Sequence, residues 1–364
     1  MSRILVLANH YNTLRIFRRE LLIAISEKRH EVLIAIPECD EENKKILESY
    51  GCRVQFIKME RRGMNPVKDV GLFMTYMGLL NSFKPDKVIA YTIKCNIYGA
   101  CACRLKKIPF YANVTGLGST FQGYGFTRKL VSFMYKVSLR KAKKVFFENS
   151  GNRDTLVDDG IVRREQTVVM PGAGVNLEEF SYAPYPDEDN GIRLLNVGRL
   201  MQEKGIDELF AAIKVICKKH PEVSFEFIGW YEDDYKQQVE ELTKLGYIKF
   251  DGWQQDVKPY YAHCHCIIHP SWHEGMSNTL LEGASTGRPL ITNAIHGCME
   301  AVDDGINGYL TEKKNTEDLI HKIERFLALT NSEKKEMGRR SREKMEQEFD
   351  KKTVVEKTLR EIGI

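Results

Sequence analysis

At 364 residues, with 43% hydrophobic and 29% charged content, the chain is long enough for two domains with substantial cores and has the make-up of a soluble globular protein. Its nine cysteines are scattered and odd in number, with no even framework of the secreted type, which favours a reducing compartment, the cytosol. The net charge is only +4, and no run approaches the roughly 20 apolar residues that a membrane span requires.

The apolar run 4–8 passes into polar Asn9-His10-Tyr11-Asn12, so it reads as a first strand and not as a signal peptide. It opens an alternation of strands, expected at 4–8, 32–36, 54–57, 88–91, 110–112, 145–148 and 168–170, with helices at 15–28, 41–50, 66–82, 96–105, 126–142 and 152–158. Such alternation predicts a parallel, doubly wound sheet whose ligands sit beyond the C-terminal ends of the strands. The loops of interest are therefore 9–18, 92–96, 113–125 and 148–152. In the third, Thr115-Gly116-Leu117-Gly118-Ser119-Thr120-Phe121 places two glycines after a strand, which permits close approach of backbone to a ligand and equally describes a plain turn.

Ten Lys and Arg residues and no Asp or Glu lie between Arg104 and Phe147. Within this stretch 128–144 interleaves cations with Leu130, Val131, Phe133, Met134, Tyr135 and Leu139. A basic, partly apolar helix of this kind attracts anionic lipid headgroups; a solvated face backed by the core is the alternative. No nucleic-acid motif accompanies it, so a nucleic-acid partner is not expected.

Two prolines and four acidic or amide residues at 184–191 read as a linker. A second alternating half follows, with strands at 194–197, 224–228, 248–250, 266–269, 290–292 and 308–310 and helices at 207–219 and 234–245 between them. The end, 332–362, is charged and helical. Early in this half, Gly198-Arg199 follows a strand, placing a permanently charged fork at its end, and Lys204 adds a second cation nearby.

His263-Cys264-His265-Cys266, with His269 and His273, has the residue types of a zinc site. Alternation along a strand would point the nitrogens and sulfurs to opposite faces, so a buried strand with satisfied histidines is the better reading and no metal is expected.

The strand 266–269 leads into Pro270-Ser271-Trp272-His273-Glu274-Gly275-Met276-Ser277-Asn278-Thr279, and a helix capped by Ser277 or Asn278 follows. Glu274 precedes that helix and Glu282 lies about one turn inside it, so both carboxylates can face one cleft, with free amides at the helix start suited to an oxyanion. An ordinary strand-to-helix connection, with Glu274 on its rim and Glu282 solvated, accounts for the same residues.

The stretch Glu274 to Glu282, two glutamates eight positions apart with small residues between, resembles the donor-site signature of the large retaining GT-B glycosyltransferase family 4 of capsule, O-antigen and lipid-linked glycan assembly. Arg199 and Lys204 resemble the same family's diphosphate-binding pair. The segments 115–121, 145–150 and 171–180 are similar to landmarks of one of its subgroups. Phe17-Arg18 resembles a subgroup that uses His or Phe with Arg in the first loop, while Asn113 or Thr115 stands where many members carry a His.

The resemblance implies an α/β, GT-B fold of two facing Rossmann-like domains, with an acceptor domain at 1–183, a donor domain at 192–345 and a terminal helix at 346–364 packing back on the first. It implies retaining transfer from a UDP-hexose or UDP-N-acetylhexosamine to a polyprenyl-diphosphate-linked glycan. No protein nucleophile, metal or cofactor would be needed. Catalysis would rest on Glu274, Arg199 and Lys204. Gly198, Gly275, Met276, Ser277, Asn278, Thr279 and Glu282 would complete the donor site, with Glu274 on the sugar and Glu282 on the ribose. His10, Arg18, Thr115, Gly116 and Gly118 would stand on the acceptor side. The protein would sit in the cytoplasm on the inner face of the membrane. A UDP-sugar 2-epimerase-like isomerase and a non-catalytic nucleotide-sugar-binding subunit are the alternatives.

Overall fold

The computed structural model describes residues 1–60, 65–118 and 125–364. They form two compact units, one of Met1–Ala173 with Lys352–Ile364 and one of Gly174–Lys351.

The first unit holds a sheet of β1 (Arg3–Leu7), β2 (Glu31–Ile36), β3 (Cys52–Phe56), β4 (Lys87–Tyr91), β5 (Phe110–Val114), β6 (Lys144–Phe147) and β7 (Thr167–Val169) in the order 3-2-1-4-5-6-7. All neighbours are parallel. In β1 the side chains divide between two cores. Leu5 and Leu7 face the layer containing Leu72, Tyr76, Ala100 and Tyr135, and Ile4 and Val6 face the layer containing Leu21, Leu22, Ile25 and Leu47. Burial on both faces is what makes such strands read as unbroken apolar runs.

The second unit's strands are β8 (Ile192–Val197), β9 (Val223–Ile228), β10 (Ile248–Phe250), β11 (Cys266–His269), β12 (Leu290–Asn293) and β13 (Gly308–Thr311), ordered 10-9-8-11-12-13 and again parallel. The strand order reverses between β1 and β4 in one sheet and between β8 and β11 in the other. In open parallel sheets that reversal opens a crevice at the C-terminal strand ends.

All thirteen expected strands are present, with ends displaced by no more than two residues. The helices depart from expectation in four places. The helix expected at 15–28 is two helices, Tyr11–Arg15 and Arg19–Glu27. Leu14, Leu21 and Ile25 are buried at helical spacing and hide a break at which Arg18 turns inward. The segment 92–96 is mostly helix, because Ile93–Lys106 begins straight after Thr92, whose φ is +75°. The charged end is Asn331–Glu348 and Lys351–Ile362, interrupted where Asp350 bridges to Val175. His263 closes the helix Lys258–His263 and is not on a strand.

Val354, Leu359 and Ile362 of the final helix join the first unit's core, and Tyr111 Oη and Lys87 Nζ donate to Ile362 O. The segment from Phe180 to Tyr185 bonds within the second unit: Ser285 Oγ donates to Phe180 O, and Tyr185 Oη to His265 O. Arg288 is fully buried there. Its Nε donates to Tyr261 O at 2.7 Å, and its Nη2 to Ala262 O at 2.7 Å and Pro184 O at 3.0 Å. All nine cysteines are free. Among the described residues no helix is long and apolar enough to cross a membrane.

Candidate active site

The donor residues expected from the sequence fall at the crevice of the second sheet. Gly198 and Arg199 follow β8, and Glu274 to Thr279 follow β11, its neighbour across the reversal. Buried amide and hydroxyl side chains fix these strand ends. Asn196 Nδ2 donates to Ile268 O at 2.7 Å, Thr292 Oγ1 to His269 O at 2.6 Å, and Asn293 Nδ2 to Pro270 O at 2.7 Å and Ser271 O at 2.9 Å. Thr311 Oγ1 in turn donates to Asn293 Oδ1 at 2.6 Å. Each is at most 4% exposed, so these bonds are shielded from competing water.

The loop after β8 closes on the loop after β11. Glu203 O accepts from the Trp272 amide at 2.8 Å. Gly205, at φ +70°, ends the 3-10 turn Gln202–Lys204, and a β-carbon there would lie 2.1 Å from Pro270 O. Only glycine fits so close an approach in that conformation. A third loop supports the other side: Gly297, at φ +91°, has Gly275 O 2.7 Å from where a β-carbon would stand, and its own carbonyl accepts the Ser277 amide at 2.8 Å.

This packing brings Lys204 Nζ onto Oε1 of Glu274, and His269 Nε2 lies 2.8 Å from the same oxygen. Burial by itself raises the Glu274 carboxyl, but Lys204 and His269 outweigh it and hold the group well below the usual carboxylate range. Glu274 is therefore an anion in the folded protein. Arg199 stands apart, about a third exposed, with Nη1 3.7 Å from Glu232.

Glu282, on the helix Asn278–Ser285, accepts from Tyr261 Oη at 2.9 Å. Burial pushes its carboxyl up to about 7, with Tyr261 and Lys351 opposing that and Glu179 adding to it. The helix N-cap is Ser277, whose side chain makes no capping bond, and the Ser277 amide is spent on Gly297, leaving it out of the expected anion-binding amides. Met276 is buried, and Thr279 Oγ1 donates to Val197 O.

A stability test follows for Glu282. In the unfolded chain this carboxyl titrates near 4.3, whereas in the fold it keeps its proton to about 7. Its contribution is thus full below the unfolded value and lost as pH rises through the folded one. Glu282→Gln, neutral throughout, is expected to lose less melting temperature between pH 5 and pH 8 than the wild type. Parallel melting curves in the two proteins would contradict the assignment.

In the first unit, His10 caps Tyr11–Arg15, accepting the Asn12 amide at its Nδ1. Arg18 is buried. Its Nη2 donates to Glu148 at 2.7 Å and its guanidinium lies 5.1 Å from the Tyr91 ring centroid. Its guanidinium is thus committed to contacts within the first unit. Thr115, Gly116 and Gly118 follow β5; Ser119, Thr120 and Phe121 lie outside the described residues. Asn113 is spent on the sheet, donating from Nδ2 to Ala90 O.

Of the histidines near β11, His263 and His265 have structural partners, whereas His269 Nδ1 and His273 Nε2 are buried without a hydrogen-bond partner, so the expectation of satisfied histidines holds only in part. His265 Nδ1 accepts the Arg193 amide at 2.9 Å, and His263 Nε2 faces Glu226. Among the described residues no group of three or more His, Cys, Asp or Glu side chains could hold a metal ion. Sequence reasoning missed Asn196, Tyr261, Asn293 and Gly297, and it weighed His269 only as a metal ligand against a satisfied buried histidine. Asn196 acts across 72 residues and Tyr261 and Asn293 across 21 to 23, separations that no local pattern carries.

Residues 191–329 match the family described as glycosyl transferases group 1, and residues 3–149 match the one described as glycosyl transferase 4-like. The chain belongs to these glycosyltransferases. The glycosyltransferase is 25% identical over 327 residues to N,N'-diacetylbacillosaminyl-diphospho-undecaprenol alpha-1,3-N-acetylgalactosaminyltransferase of Campylobacter jejuni, covering 85% of each chain. It is 25% identical over 294 residues to UDP-Gal:alpha-D-GlcNAc-diphosphoundecaprenol alpha-1,3-galactosyltransferase of Escherichia coli, covering 75% of this chain and 74% of that one. The Anabaena protein HepE, solved in complex with UDP and glucose, has a TM-score of 0.81 at 19% identity, covering 100% of both chains. At that identity the likeness is one of fold, and the two doubly wound units are those of the GT-B class.

Proposed function

We propose that this glycosyltransferase moves a hexose or N-acetylhexosamine from its UDP donor to a polyprenyl-diphosphate-linked glycan, with retention at the anomeric carbon and no metal. The observation that carries the reading is the Lys204–Glu274 pair at the strand reversal of the second sheet. Both named relatives work on diphospho-undecaprenol acceptors, one of them from UDP-Gal.

In the proposed reaction Arg199 and Lys204 neutralise the departing diphosphate, Glu274 hydrogen-bonds the sugar ring and Glu282 the ribose. Charge stabilisation and positioning supply the rate. The acceptor hydroxyl gives its proton to the departing phosphate oxygen on the same face of the sugar, so no protein nucleophile intervenes. The first unit's loops, with His10, Thr115, Gly116 and Gly118, take the acceptor side. Calorimetry with UDP, GDP and UDP-sugars in the absence of metal tests the donor. Saturable UDP binding weakened by Arg199→Ala and Glu282→Ala is expected, and a folded protein that binds no nucleotide refutes the reading. The anomeric configuration of the product, read by NMR, tests retention.

The reading includes a cytoplasmic protein held at the inner membrane face. On the helices Ile93–Lys106 and Phe126–Leu139, Leu105 is 63% and Phe133 65% exposed, among exposed Arg104, Lys106, Lys129, Lys136, Arg140 and Lys141. Each cation near an anionic surface contributes on the order of 1 kcal/mol. Replacing Lys129, Lys136, Arg140 and Lys141 with Gln is expected to weaken cosedimentation with phosphatidylserine vesicles by at least about tenfold. Unchanged cosedimentation would remove the membrane from the proposal.

A further inference from the structure

His269 ends β11 and is 3% exposed. Its Nε2 faces Oε1 of Glu274, the oxygen that Lys204 also engages, and its Nδ1 is buried with no hydrogen-bond partner. A neutral imidazole carries one N–H, and an ionised carboxylate can only accept. Placed on Nδ1, the proton would be a buried donor with nothing to receive it. Placed on Nε2, it meets the carboxylate. The ring therefore donates to Glu274.

We propose that His269 is a positioning residue of the donor site, donating its Nε2–H to Glu274 so that the carboxylate keeps its place when Lys204 turns from it to the diphosphate of a nucleotide sugar. The proposal rests on the donor-site reading above. The two groups on Oε1 differ in freedom. Lys204 reaches Glu274 from a short turn on a flexible four-carbon stem, so its ammonium can serve a carboxylate and a phosphate in succession. His269 stands on a buried strand, and Thr292 Oγ1 donates to its carbonyl at 2.6 Å. With only two side-chain torsions and close packing on all sides, it is the fixed member of the trio. A contact to the sugar needs a carboxylate whose place survives the departure of the lysine, and the histidine supplies that support.

The test uses the full chain as wild type, His269→Gln and His269→Leu. Gln carries an amide N–H at about the reach of Nε2, and Leu fills the space without a donor. Binding of UDP and of the accepted UDP-sugar is measured by calorimetry, with kcat and KM for the sugar and a thermal melt for each protein. His269→Leu is expected to bind UDP within about twofold of the wild type, but to lose about tenfold in its preference for UDP-sugar over UDP, and in kcat, as befits a hydrogen bond to a charged group. His269→Gln is expected to recover most of both losses, and it carries the test if the Leu variant does not fold. A folded Leu variant with wild-type sugar preference and kcat overturns the proposal, as does a folded Gln variant with a preference and kcat reduced to those expected of Leu. A wild type that binds no UDP overturns the donor-site reading, and this proposal with it.

Discussion

Lys204→Met is expected to lower turnover by about 10²–10³-fold, the loss typical when one stabilising donor is removed from developing charge. The same change leaves the Glu274 carboxylate with His269 but without its cation. Removing one partner of a buried pair costs about 3–5 kcal/mol, and some exposure of both side chains puts this case at or below the lower end. Glu274→Gln added to Lys204→Met removes the stranded charge. The double variant should therefore regain most of the stability while remaining inactive. Urea melts and single-turnover sugar transfer, run on the two single variants and the double, separate the two effects. A double variant no more stable than Lys204→Met would show that the pair is not what Lys204 contributes to the fold.

The second large effect is one of stability alone. Arg288→Met is expected to cost about 3–5 kcal/mol, because it strips the donors from several buried carbonyls at once. The guanidinium has no carboxylate partner among the described residues; carbonyls of Tyr261, Ala262, Gly287 and Pro184 surround it, and burial pulls its pKa down. Arg288→Lys should recover little, since one ammonium cannot span positions that a planar fork reaches together. The loss belongs to the unit of Gly174–Lys351. A multi-domain chain need not melt in one step, so two urea transitions are expected, with only the midpoint of the unit that holds Arg288 moving. A shift of less than about 1 kcal/mol would mean that water replaces the guanidinium at these carbonyls.

Much of this architecture was legible in the sequence because its strands are buried on both faces and therefore spell themselves out as apolar runs. Once strands are assigned, the rule that ligands gather beyond their C-terminal ends directs attention to the loops after β8 and β11. Resemblance put Lys204 and Glu274 in one donor site, but their ion pair was not legible, since 70 residues separate them and neither belongs to a periodic pattern. The break before Arg19 was not legible, because the residue that draws Arg18 inward is Glu148, 130 residues away. No local pattern marks Arg288 for burial, yet it is the best-buried cation among the described residues. Glu282 reads as a helix-surface carboxylate, and only the fold brings Tyr261 against it. In each case a long-range polar partner overrode a local signal.

Asn196, Thr292, Asn293 and Thr311 hold the strand ends without entering the chemistry, and this separates the mounting from the tool. Loops carried on such a mounting are free to diverge. On the proposed donor site, a change at 199 or between 274 and 279 is expected to alter which sugar is accepted while the spacing of the loop roots stays set from beneath. A library confined to those loops searches specificity, whereas one that reaches the four polar residues mostly searches foldability. For a scaffold whose relatives differ in the sugar they transfer, that division of labour predicts that donor preference is changed within the loops and not beneath them.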